Sequence, residues 1–125
     1  MNSQLKLLLL IITTTLPLSS LATEVAKDDW VNAMSSALPT AFCAPQQYFR
    51  QCFSVTAEEC EDTAASATRV CLKNNKDKIP GMLKQPKDGT KWGTIVGACA
   101  GQAYEIALIS KRSSDPRCAD PTQWQ

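Results

Sequence analysis

The 125-residue chain carries 13 basic and 12 acidic side chains, a formal net charge of +1, and no histidine. So even a balance gives no electrostatic reason to bind nucleic acid or an anionic membrane. The missing imidazole removes the commonest metal ligand and the usual base of serine and cysteine nucleophiles.

The first segment reads as a cleavable export signal. Lys6 precedes an unbroken apolar run, Leu7 to Ile12, and Ser20-Leu21-Ala22 places small residues where a signal peptidase inspects the chain. Cleavage is expected after Ala22. The apolar run is too short to span a bilayer, and no cysteine sits at the cut to accept a lipid. The expected organisation is a signal peptide over 1–22 and a single helical, disulfide-bonded domain over 23–125. A chain that short buries only about 60–70% of its unfolded surface, so its core alone is marginal.

All six cysteines, Cys43, Cys52, Cys60, Cys71, Cys99 and Cys118, lie beyond the cut. An even count, an export signal and a small core together predict three disulfides. No C-x-x-C spacing suggests a redox pair or a zinc knuckle, and neither cofactor nor metal is expected.

Beyond the signal, no run alternates apolar and polar residues, so only helices are predicted. The first spans Glu24 to Leu38, with Ala26, Trp30, Ala33, Met34 and Ala37 at helical spacing and Pro39 as its stop. A second, short helix is placed from Pro45 to about Ser54, with Tyr48, Phe49, Cys52 and Phe53 on one face. The third opens on Thr56-Ala57-Glu58-Glu59, the pattern of a capping box, and runs to about Asn74. Its inward stripe is Cys60, Ala64, Ala67 and Cys71, with Glu59, Asp62, Ser66, Arg69 and Lys73 facing out. Pro80 to Gly89 reads as a loop. The last long helix is expected from Thr90 to Lys111, its inner face made by Trp92, Ile95, Val96, Cys99, Ala103, Ile106 and Ala107. Gly93, Gly97 and Gly101 line the neighbouring face, and the tail past Arg112 reads as an irregular strap.

Cys60 and Cys71 stand about 16 Å apart on one helix and are therefore excluded from pairing with each other. If the second and third helices form an antiparallel hairpin, the expected bridges are Cys43–Cys71, Cys52–Cys60 and Cys99–Cys118. The fold class expected is all-α: a disulfide-stapled bundle of about four helices.

Motifs that could carry chemistry have plainer explanations. Asp88-Gly89-Thr90-Lys91 could hold an anion at a helix start, but a cap and a turn account for it. Glu58, Glu59, Glu61 and Asp62 complement a helix dipole rather than forming a desolvated catalytic pair. Glu105, an acid on an apolar helix, is expected to meet Arg50 or Arg69, or to face solvent. Three glycines at intervals of four suit a buried helix that admits a neighbouring backbone, or a membrane helix pair. Binding is thus favoured over catalysis. The expected function is an interaction module, periplasmic or secreted, of the inhibitor, immunity or envelope-accessory type. Its partner would be another protein in the envelope or outside the cell. The Pro80–Gly89 loop and the second helix are the expected contact surface, through Tyr48, Phe49, Phe53, Asp88 and Lys91. A histidine-free hydrolase using Glu105, Asp88 and Lys91, and a membrane-associated component using helix 90–111, are the alternatives.

Overall fold

A computed structural model describes residues 23–124; the expected signal peptide lies outside the described residues. The protein is mostly helical. In chain order it contains β1 (Glu24–Ala26), α1 (Lys27–Phe42), α2 (Tyr48–Gln51), α3 (Ala57–Asn75), β2 (Met82–Lys84) and α4 (Lys87–Ala107). Three 3-10 turns, Ile109–Lys111, Pro116–Cys118 and Pro121–Trp124, complete it.

The four helices agree with the fold class expected, but their limits move for identifiable reasons. Asp28 and Asp29 complement the positive end of α1. Pro39 does not end that helix: it is buried inside it, and the Cys43 amide still donates to the Pro39 carbonyl at 3.1 Å. Only the donor that would have served Ser35 is lost, and the helix continues to Phe42. The Thr56 hydroxyl caps α3 by accepting from the Glu59 amide at 3.1 Å. The reciprocal half of the box does not form, because the Glu59 carboxylate accepts from Lys111 instead.

Two segments depart from the expected helices and loop because their hydrogen-bond partners are remote in sequence. Glu24–Ala26 begins no helix; it pairs antiparallel with Met82–Lys84, Val25 opposite Leu83. Gln85 to Thr23 and Lys27 to Gly81 backbone bonds, 3.0 and 2.9 Å, extend this ribbon at either end. The predicted Pro80–Gly89 loop therefore contains a strand, whose Leu83 is fully buried. Residues 52–54 likewise leave the predicted second helix: Ser54 donates to the Lys111 carbonyl and Ser113 to that of Cys52, each at 2.8 Å. That pairing shortens α2 to one turn.

The expected disulfide pairing is corrected throughout. The bridges are Cys43–Cys60, Cys52–Cys118 and Cys71–Cys99, with Cα separations of 5.8, 5.5 and 5.9 Å. A one-turn α2 cannot lie antiparallel along α3, so the assumed hairpin does not exist. Instead α1 and α4 flank α3: the end of α1 is bridged to its first turn, and Cys71 is bridged to α4. The tail crosses to Cys52 rather than returning along α4. Cys60 and Cys71 do not pair with each other, as helix geometry requires.

Two packed clusters fill the interior. One gathers Trp30, Leu72, Ile79, Leu83, Trp92 and Val96 under α1, α3, β2 and α4. The other gathers Tyr48, Phe53, Tyr104, Leu108 and the four cysteines Cys43, Cys52, Cys60 and Cys118; Phe42 packs against both. The buried stripe of α4 is Trp92, Val96, Ala100, Tyr104 and Leu108, whereas Ile95 and Ile106, expected inside, are 38% and 66% exposed. The cause is the glycine face. Gly93 and Gly97 let the α1 side chains Met34 and Leu38 approach, and Gly101 admits the Phe49 ring. What enters is side chain, not the backbone that was expected. The core wraps the glycine side of the helix and leaves its isoleucines outside.

Candidate functional site

Among the clefts described, one combines an apolar floor with a charged rim. It is a groove of about 310 Å³ between α1 and α3, lined by Val31, Ser35, Arg69, Leu72, Lys73 and Lys76. Leu72 belongs to the core and is 3% exposed, while Val31 is half-buried. Both lie at helical spacing from their neighbours on the walls, which is why two amphipathic helices side by side create the cleft. The Ser35 hydroxyl is turned back onto the Val31 carbonyl, 2.8 Å away, so it presents little free donor to the groove.

The rim is one-sided in charge. Arg69, Lys73 and Lys76 recur at intervals of four and three along α3, which puts them on one face spanning about 10 Å. Such a row near a helix C-terminus complements the negative end of the dipole, but it also overhangs the apolar floor. Arg69 donates to the Ser66 hydroxyl at 3.1 Å. Lys76 faces the Asp28 carboxylate at 3.8 Å, both side chains largely exposed. Lys27 stands nearby, its ammonium on the Lys76 carbonyl at 2.9 Å.

A second cleft, about 530 Å³, is polar: Gln51, Ser54, Ser110, Lys111, Arg112, Ser113 and Ser114 surround part of Phe53. Its principal amine is already engaged, since Lys111 pairs with Glu59.

Of the residues expected at a contact surface, Tyr48, Phe49 and Phe53 gather with one another, the Tyr48 ring centroid 5.2 Å from that of Phe49 and 5.8 Å from that of Phe53. Tyr48 and Phe53 are each 4% exposed and belong to the second core cluster. These two rings pack in the core rather than standing on the outer surface. Phe49 stacks on Phe42 with centroids 4.5 Å apart and meets Tyr104 edge-on at 4.9 Å. Asp88 does not cap α4; its carboxylate accepts from the Lys84 amide at 2.7 Å and so fastens β2 to the helix start. Lys91 lies over the Trp92 ring, 5.2 Å from its centroid.

Glu105 meets neither Arg50 nor Arg69. It accepts a hydrogen bond from the Tyr48 hydroxyl. Burial, and then that carboxylate, push the Tyr48 phenol up to about 12. Tyr104 donates to the Phe49 carbonyl at 2.9 Å, and burial pushes it up to about 12 as well. Both phenols are neutral structural donors. Asp88 and Glu105 are separated by about 25 Å of α4, so the hydrolase constellation of Glu105, Asp88 and Lys91 does not come together. Among the described residues no group of three or more His, Cys, Asp or Glu could hold a metal ion, and no helix is long and apolar enough to cross a membrane.

Arg69 and Lys73 lie on the face of α3 expected to point outward, and no expectation falls on Lys76. The signal that was available is their spacing, with the apolar Leu72 set between them. Nothing in the chain shows that α1 would supply the opposite wall.

The model of one family, described as T2SS substrate NttA, matches residues 24–112, and the chain belongs to that family. The matched stretch holds both walls of the groove and stops before Cys118. No curated protein and no solved structure matches the chain. As a member of a family of type II secretion substrates, it is a small secreted protein.

Proposed function

We propose that this protein acts outside the cell as a binding module, taking part of a partner protein into the groove between α1 and α3. The observation that carries the reading is the groove itself: an apolar floor overhung by a row of cations, on a framework with a disulfide at each end of α3. Cross-links at Cys60 and Cys71 fix that helix against both neighbours, so the groove is preformed and little ordering cost falls on binding. Secretion supplies the oxidising setting such bridges need, and residues 1–22 are the proposed leader for the first export step. We place its destination outside the cell rather than in the periplasm, a reading that membership of a family of type II secretion substrates supports.

The test is site-specific photo-crosslinking with the folded, oxidised protein. A photoreactive amino acid at Ser35, inside the groove, is compared with one at Gln102, on the exposed side of α4. With proteins that the molecule meets after secretion, the Ser35 probe is expected to give a discrete adduct that excess unlabelled protein suppresses. Adducts from Gln102 alone, or indistinguishable patterns from both positions, would refute the groove as the binding site.

A further inference from the structure

Resting on that reading, we infer that the partner presents an acidic amphipathic segment, with one apolar side chain seated on Val31 and Leu72 and carboxylates spaced along the Arg69–Lys73–Lys76 row. Three features select this occupant. The floor is shallow and closed: beneath it Leu72, Ile79 and Leu83 are 3%, 2% and 0% exposed. That packed layer gives an acyl chain no depth beneath the groove. The cations do not converge on a point, as they would around a single phosphate. They run about 6 and then 4.5 Å apart along the helix axis, a spacing that matches successive carboxylates on a peptide. Finally, the molecule already displays one such pairing, the Asp28 carboxylate 3.8 Å from Lys76. Asp28 occupies the end of the row as an internal competitor, while Lys73 has no acidic side chain within 4.0 Å among the described residues. A segment laid in a cleft between two helices is a recurrent mode of peptide recognition, with affinity from the apolar anchor and register from the charges.

The experiment uses fluorescence anisotropy on the full oxidised protein with a labelled amphipathic peptide carrying one leucine between glutamates three and four residues away. A control peptide has lysine at each glutamate position. Binding of the glutamate peptide alone is expected, weakening as salt rises. Lys73→Glu, at an exposed position, should weaken it about fivefold or more, because an attraction becomes a repulsion. Asp28→Asn removes the competitor and should tighten it about twofold. Circular dichroism checks that each variant is folded. Equal binding of both peptides, indifference to Lys73→Glu, or looser binding by Asp28→Asn would overturn the inference. So would binding to phosphatidylserine vesicles with none to the peptide. A Ser35 adduct that persists in Lys73→Glu while the peptide fails would sink the acidic partner and leave the binding module standing.

Discussion

Gly93, Gly97 and Gly101 of α4 look equivalent along the chain, yet their surroundings predict opposite responses to one added methyl. None has a positive φ, so alanine is conformationally acceptable at each. A Cβ on Gly93 would sit 3.9 Å from the Met34 methyl, and one on Gly97 4.0 Å from Leu38 Cδ2. Both are ordinary contacts. Replacing glycine within a helix by alanine gains about 0.8–1 kcal/mol, so Gly93→Ala and Gly97→Ala should each stabilise by roughly that amount. Gly101 is different: its Cβ would lie 3.1 Å from Phe49 Cζ. That ring cannot retreat easily, being stacked on Phe42 and met edge-on by Tyr48 and Tyr104. Overpacking of this kind costs about 1–3 kcal/mol, which cancels or exceeds the helical gain. The expected difference between Gly97→Ala and Gly101→Ala is therefore about 2 kcal/mol. Guanidinium unfolding under non-reducing conditions, followed by circular dichroism, would measure it. For a chain of this size each kcal/mol moves the thermal midpoint by about 4 °C. Shortening the ring in Phe49→Leu should make Gly101→Ala less costly, a coupling that a double-mutant cycle reads directly. Equal stabilisation by all three alanines would refute the assignment of Gly101 as the ring's seat.

Both tyrosines of the protein are interior donors, and each phenol is pushed up to about 12 from an ordinary value of 10.0. Neutral phenol is thus favoured by the folded state. The stability this contributes is complete below pH 10 and is lost as pH rises toward 12. Ultraviolet titration should show no tyrosinate in the native protein near pH 10, where the denatured chain is half-ionised; early ionisation of either ring would contradict its placement. At the start of α3, Thr56→Ala removes the hydroxyl that accepts from the Glu59 amide and should cost about 1 kcal/mol in a denaturant titration. Glu59→Gln should cost less than Thr56→Ala, since its pairing with Lys111 is part-exposed and such pairs contribute about 0–1 kcal/mol. The reverse order would show that the box, not the single cap, starts the helix.

Much of the fold was legible because its signals are local. Thr56 followed by Glu58 and Glu59 marks a helix start, and Cys60 to Cys71 on one helix cannot close on itself. These depend on spacing along a single element. Misreadings arose where the partner is distant. Thr23–Lys27 pairs with residues 81–85, and residues 52–54 pair with 111–113. Each short stretch lacks a pattern of its own and acquires structure only from its remote mate. The inner face of α4 failed for another reason. Ile95 and Ile106 are more hydrophobic than Gly93 and Gly101, but a helix buries the face a neighbour can approach, and absent side chains allow the approach. The candidate site was half legible: the cation row can be read from α3 alone, its apolar opposite wall cannot.

Composition and spacing by themselves determined that this chain is helical, disulfide-bonded and without histidine chemistry, because propensity, capping and cysteine content act within a few residues of where they are written. Only the packed structure decided which cysteines meet, which glycine holds a ring, and that Val31 closes a groove against Leu72. Those are facts about which segments become neighbours. They follow from the summed packing of α1, α3 and α4, a property that no window along the chain contains.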